Sequence, residues 1–318
     1  MQDTSKAVRV DAKTFQEPIA RLADVMVEKA FREGAARCGW PACVSEDVPM
    51  MLRYSMSLYN LLFYLNADVT RANDTGWRVH YGVSALSLIR SLIDCLYNVT
   101  TILQSPADKG PGYRKSGLKK ILKDLEEDRQ RYSERPEWQE YVKERRGPVE
   151  RLIQMSGFTL DEVLKASDWL TLGKYMNQKQ PGGVLTEHQE FLKTFTLRNW
   201  RQYSALSHGA YEAFAGTLGQ VPVGAYYVTD FLPHADRPKV NKSYDLLIST
   251  HIGRAATVLL CLITEIQAYC RFDGASINDR ICTMWEVLLP LFEANELYEG
   301  RYAKLMADHG IARLTGMV

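Results

Sequence analysis

A chain of 318 residues with 46% apolar and 24% charged side chains has the balance of a globular protein that buries a large core, which excludes extensive disorder beyond about the first dozen residues. No flexible linker divides it, so the expected organisation is a single helical domain over residues 1–318. A formal net charge of +1 supplies no overall attraction to nucleic acid or anionic lipid, and an anionic partner would need a local patch.

Apolar residues recur at three- and four-residue spacing along most of the chain, and period-two alternation hardly appears. The pattern predicts an all-α fold, a multi-helix bundle of about nine helices. The opening MQDTSKAVRVDAK lacks the apolar centre of a secretory signal, so a cytoplasmic location is expected. A first helix spans 13–37 and ends near Gly39; a second, 46–72, carries the dense run MLRYSMSLYNLLFYL; a third, 80–104, stops at SPADKGPG, where prolines and glycines break the pattern. Residues 113–146 have mixed charge and only a sparse stripe of Leu118, Ile121, Leu122 and Leu125. This predicts a charged helical arm, with 113–180 as an insertion.

Short helices follow up to Met176, then a loop at QKQPGG, then one long helix over 187–218. Residues 219–240 form the one segment of irregular or β-like character. Residues 244–271 are apolar nearly all round, the pattern of a buried central helix, and two amphipathic helices close the chain. The longest uncharged stretch, 213–229, contains Gly216, Gly219, Pro222 and Gly224, so no span of a bilayer is expected. Cys38, Cys43, Cys95, Cys261, Cys270 and Cys282 show no CxxC pair and fit buried thiols better than disulfides or zinc. The sequons at Asn73, Asn98 and Asn241 matter only on a secretory route.

The chain has no GxxxxGK, GxGxxG, GxSxG or HExxH, so the common nucleotide, hydrolase and zinc readings lose support and no cofactor is implied. What remains is charge on helices that otherwise read as buried. In RNWRQYSALSH, residues 198–208, a helical rotation of about 100° per residue brings Arg201, Ser204, Ala205, His208 and Glu212 into one sector. Arginine offers a fork of donors to a phosphate and histidine exchanges a proton near neutral pH, a pairing able to cleave a phosphodiester without metal. The same spacing also describes a solvated surface pair.

Two further groups are candidates for substrate binding. Arg90 and Asp94 lie one turn apart on a face shared with Ser87, Ser91 and Asn98, which reads as a partly buried polar seam or an ordinary ion pair. His251, Arg254 and Glu265 share a sector of the apolar helix; each needs a partner from another helix, with Asp94 the expected partner of Arg254. His80, His188, His234 and His309 fall near loops or helix ends and receive no role. Arg114, Lys115, Lys119, Lys120 and Lys123 form a basic cluster on the arm, but Asp124, Glu126, Glu127 and Asp128 follow directly and cancel much of its field.

The segments ALSLIRSLIDCLYN (85–98) and RQYSALSHGAYE (201–212) resemble bacterial all-helical families related to the HEPN superfamily. The resemblance covers the central helices and neither the first helix nor the arm. It implies a helical bundle, a homodimer or other homo-oligomer, and a defence or toxin role in which Arg201 binds the scissile phosphate of RNA and His208 acts as general acid or base. Gln202 departs from the pattern, since active members carry Asn, Asp or His directly after the arginine. The resulting expectation is a metal-independent ribonuclease or an RNA- or nucleotide-binding protein; the alternative is a non-enzymatic scaffold or sensor acting through its arm.

Overall fold

A computed structural model describes residues 12–67, 77–178, 183–193, 195–207, 237–272 and 275–311. These residues are all-α and contain no strand. In chain order the helices are α1 (Ala12–Cys38), α2 (Ala42–Ala67), α3 (Trp77–Leu103), α4 (Pro106–Arg131), α5 (Pro136–Met155), α6 (Leu160–Lys165), α7 (Leu172–Asn177), α8 (Glu187–Lys193) and α9 (Phe195–Ser207). After them come α10 (Arg237–Cys270), α11 (Ala275–Leu288), α12 (Phe292–Leu297), one π-helical turn (Tyr298–Tyr302) and α13 (Ala303–Asp308). The segment 219–240, expected to be β-like, lies outside the described residues except for its last four positions, which belong to α10.

The core is built on α10, which packs against α1, α2 and α3, while α1–α2 and α2–α3 close the bundle around it. The reason is in the periodicity. Ile19, Leu22, Ala23, Met26 and Ala30 of α1 and Ile89, Leu92, Ile93, Leu96 and Val99 of α3 recur at three- and four-residue steps and are fully buried. From His251 to Ala268 nearly every side chain of α10 is buried, so this stretch has no solvent face. Residues 85–104 and 250–270 are long and apolar enough to cross a membrane, and 67% and 89% of the best window of each is buried inside the bundle. No disulfide forms among the six cysteines; five are buried and Cys38 is half-buried.

Two local departures from the sequence reading have clear causes. SPADKGPG does not interrupt the helices for long: α4 begins at Pro106, where a proline at the first helical position forfeits a hydrogen bond that would be unmade anyway. Gly110 lies against α2, and a Cβ there would meet Val44 Cγ2 at 2.0 Å, so tertiary approach overrides the poor helix propensity of glycine. The arm, in turn, is a hairpin rather than one helix. Arg135 is driven to extended backbone (φ −111°, ψ 102°) by the proline after it, α5 starts at Pro136, and Tyr132 stacks on Trp138 at 4.3 Å across the turn.

The hairpin has a small core of its own, with Leu118 and Leu122 facing Ile153 and Val163. Its base is fixed by Arg114, whose guanidinium donates to both oxygens of Asp47 (2.7 and 3.0 Å), to Glu46 (2.7 Å), to the Cys43 carbonyl (3.0 Å) and to Ser156 (3.2 Å). Arg114 therefore belongs to the joint between α2, α4 and the end of α5, not to an open basic patch. Lys119 is likewise occupied, donating to the Ala166 carbonyl and to Asp168.

Gly110→Ala is expected to destabilise the protein by about 1–3 kcal/mol through overpacking against Val44, although alanine alone would favour the helix by about 1 kcal/mol. Urea unfolding checks it: a midpoint equal to or above that of the parent chain would show that α4 and α2 do not meet this closely.

Candidate functional site

The charged residues singled out in the sequence separate in space, and α9 is the element that sorts them. Leu197, Arg201 and Ser204 follow one another at helical spacing on one side of α9, Trp200 and Tyr203 on another. Arg201 is exposed and lines a hollow of about 460 Å³ together with Lys193 of α8, Arg198 of α9 and Asn177 of α7, over apolar walls from Met176, Leu185 and Leu197. Among the described residues Arg201 has no hydrogen bond or ion pair. Arg198 reaches Glu293 and Glu296 only at 3.6 and 3.8 Å, and Lys193 reaches Glu190 at 3.5 Å. Three cations thus face one concavity with their charge poorly neutralised. Ser204, a turn beyond Arg201, is half-buried. His208 and Glu212 lie outside the described residues.

Arg90 and Asp94 hold α9 rather than facing a ligand. Asp94 accepts a hydrogen bond from Trp200 Nε1 at 2.7 Å, and the Arg90 guanidinium lies over the same indole, 5.4 Å from its centroid. The two side chains approach each other only at 4.0 Å. Burial pushes the Asp94 carboxyl above its ordinary range, opposed by the Trp200 hydrogen bond and by Arg90. Trp200 also packs where Gly173 leaves room, a Cβ on Gly173 falling 3.4 Å from the ring. The indole is clamped from both sides, and Arg201 is its neighbour in the chain.

Arg254 does not pair with Asp94. Its Nε and Nη2 form a fork on Glu293 at 2.5 and 2.6 Å, and its Nη1 donates to Tyr203 Oη at 2.5 Å. Glu293 begins α12, far downstream, so nothing near Arg254 in sequence signals it. His251, one turn earlier on α10, meets the Tyr203 ring edge-on at 5.9 Å and is buried with Nδ1 lacking a hydrogen-bond partner. Burial foremost, with Arg254 adding to it, lowers this imidazole to about 3, while burial pushes the Tyr203 hydroxyl up to about 12.

Glu265 sits away from these groups. It takes a two-point bond from Arg301 (2.6 and 3.0 Å), whose guanidinium also covers Phe191 at 4.8 Å. Near it lies a histidine to which the sequence reading gave no role. His188 is buried on α8, with Nε2 against Thr100 Oγ1 at 3.0 Å and Nδ1 against Tyr175 Oη at 2.9 Å. Burial, then Arg301 and Lys109, lower it to about 3.

Arg201 is therefore the one residue of the candidate set that the described structure places on a recess with its charge uncommitted. The sequence reading missed Lys193 and Arg198. A signal existed, since Lys193, Leu197 and Arg201 fall at successive four-residue steps. Among the described residues no group of three or more His, Cys, Asp or Glu side chains could hold a metal ion.

The two buried histidines set the acid response. Each has a folded pKa depressed from 6.5 to about 3, so the stability it contributes is complete above 6.5 and drains away as pH falls toward 3. At pH 5 the loss is expected to be on the order of 2 kcal/mol per histidine. Urea unfolding between pH 7 and 5 measures it, and His188→Gln or His251→Gln should each flatten the slope; an unchanged slope in both variants would place the acid sensitivity elsewhere.

No protein-family model, curated protein or solved structure matches the chain, so the reading of the hollow rests on its own geometry and on the motif around Arg201.

Proposed function

We propose that the hollow bordered by Lys193, Arg198 and Arg201 binds phosphate groups of RNA or of a nucleotide, and that with His208 it cleaves RNA without a metal in the manner of HEPN ribonucleases. The observation that carries the reading is the guanidinium of Arg201, uncommitted among the described residues, beside two loosely paired cations on a concavity of about 460 Å³. An arginine without a carboxylate partner gains most from a bidentate oxyanion. Arg201 would hold the scissile phosphate, Lys193 and Arg198 the neighbouring ones, and His208 would exchange the proton. The protein would act in the cytoplasm, and a second copy would complete the site.

The test is fluorescence anisotropy with a labelled single-stranded RNA across a salt series. Arg201→Gln is expected to weaken binding about tenfold and to lower the salt slope by about one. Affinity that survives Arg201→Gln and Lys193→Gln together would refute phosphate binding here. In EDTA, His208→Ala should abolish cleavage with the thermal midpoint unchanged; RNA that binds but is not cut by the parent chain would leave a binding protein.

A second reading, a scaffold acting through its arm, draws on the exposed side chains of Leu152, Met155, Leu160 and Leu164, of which Met155 is 82% exposed. Apolar groups gathered on one stretch of a charged hairpin suit self-association. On this reading, changing Met155 and Leu164 to Glu converts an oligomer to monomer in sedimentation while the bundle stays folded; unchanged sedimentation would count against it.

A further inference from the structure

The ion pair of Glu265 and Arg301 does more than join α10 to the π-helical turn, because it forms the wall of a second recess. A cleft of about 150 Å³ opens between the C-terminal ends of α3 and α10 and the turn, and its polar lining comes from Thr100, Gln104, Glu265, Tyr269, Arg301 and His309. We propose that this cleft binds a small carboxylate anion.

Counting donors and acceptors leads there. Both oxygens of Glu265 are taken by Nε and Nη2 of Arg301, which leaves Arg301 Nη1 with no acceptor among the described residues. Gln104 accepts from Lys109 through Oε1 at 2.5 Å, so its amide group donates; one N–H turns to the Tyr175 hydroxyl and leaves the other for a ligand. His309 accepts from Arg271 Nη2 through Nδ1 at 3.3 Å, and an imidazole that accepts there carries its proton on Nε2. Three donors line the cleft, and its one carboxylate is already satisfied.

Charge points the same way. Lys109 and Arg271 stand behind the rim, each bonded to a lining residue, and neither has a carboxylate partner among the described residues. With Arg301 they make three cations against Glu265 and Glu187, the two carboxylates whose fields reach Arg301. The only carboxylate in the lining, Glu265, is already paired, so the cleft suits an anion rather than a cation. The volume is below the roughly 300 Å³ at which pockets take drug-sized ligands, so a nucleotide is too large. The turn matters as well. A single π-helical turn inserts a residue into the helical register, and turns of this kind recur at functional sites. Here it sets Arg301 over Phe191 with its fork on Glu265 and its last nitrogen spare.

Thermal unfolding with sodium pyruvate, sodium acetate or inorganic phosphate, each compared with sodium chloride at equal ionic strength, tests the assignment. Pyruvate or acetate at about 20 mM is expected to raise the midpoint by about 2 °C or more, as binding to the folded state alone requires. Gln104→Ala and His309→Ala remove side chains at the mouth of the cleft, not in its buried wall, and should fold and lose the shift; Arg201→Gln should keep it. No shift beyond chloride, a shift that both mouth variants retain, or a response to phosphate alone that Arg201→Gln abolishes would overturn the proposal, the last by assigning the anion to the other hollow.

Discussion

A helical stretch buried on every side cannot carry charge without a partner, and within residues 251–268 of α10 the side chains of His251, Arg254 and Glu265 must be answered from elsewhere. An isolated charge in such a place costs several kcal/mol. Arg254 is answered by Glu293 at the start of α12 and Glu265 by Arg301 in the π-helical turn. Both partners come from the last segment of the chain. The two forks therefore draw residues 292–302 onto the core helix at points about three turns apart along α10. His251 has no such partner; burial keeps it neutral instead. Packing adds to the constraint, since a Cβ on Gly253 would come within 2.8 Å of Leu291, just ahead of α12. The C-terminal segment is in this sense held by the charges of the core.

That constraint explains which parts of the fold could be read from the chain. Periodicity is a local property. It placed both ends of α1 and α3 and the end of α10 within a few residues of their observed bounds, missed the start of α10 by seven, and the all-round apolar run of α10 announced a central helix before any partner was known. Places where tertiary contact overrides local preference were misread. Gly110 and Pro111 signal a break by propensity, but the fit of Gly110 against Val44 supports α4 through them. Arg114 looked like the first of five arm cations because its acceptors, Asp47 and Glu46, lie in another helix. The opposite case is Pro136, whose effect on Arg135 is local and was legible, yet the mixed charge continuing on both sides of it suggested a single arm.

The candidate site divides along the same line. Spacing alone put Arg201 and Ser204 on one side of α9, and the structure agrees. Spacing could not tell that Trp200 would be clamped between Arg90 and Asp94, because an indole N–H finds its acceptor across a helix interface. Once Asp94 is committed to Trp200, Arg254 must look elsewhere, and Tyr203 with Glu293 complete its shell. The clamp has a consequence for the neighbour of Trp200. With the indole fixed by a hydrogen bond, a cation and the close approach of Gly173, the turn of α9 that carries Arg201 is fixed beside the hollow.

Net charge hides this arrangement. The +1 of the whole chain is a sum over arginines in two different conditions. Arg114, Arg254 and Arg301 are mostly covered and each is forked or paired onto a carboxylate, so much of each charge is cancelled within a few ångströms. Among the described residues Arg201 has no partner, and Arg198 only distant ones. A balanced composition is therefore compatible with strong local imbalance, provided that acidic residues are spent on the buried cations first. The glutamate nearest Arg198 is the clearest instance: Glu293 is drawn to Arg254, because the less exposed cation has more to gain from it. The charge left facing the hollow follows from the demand made by the core.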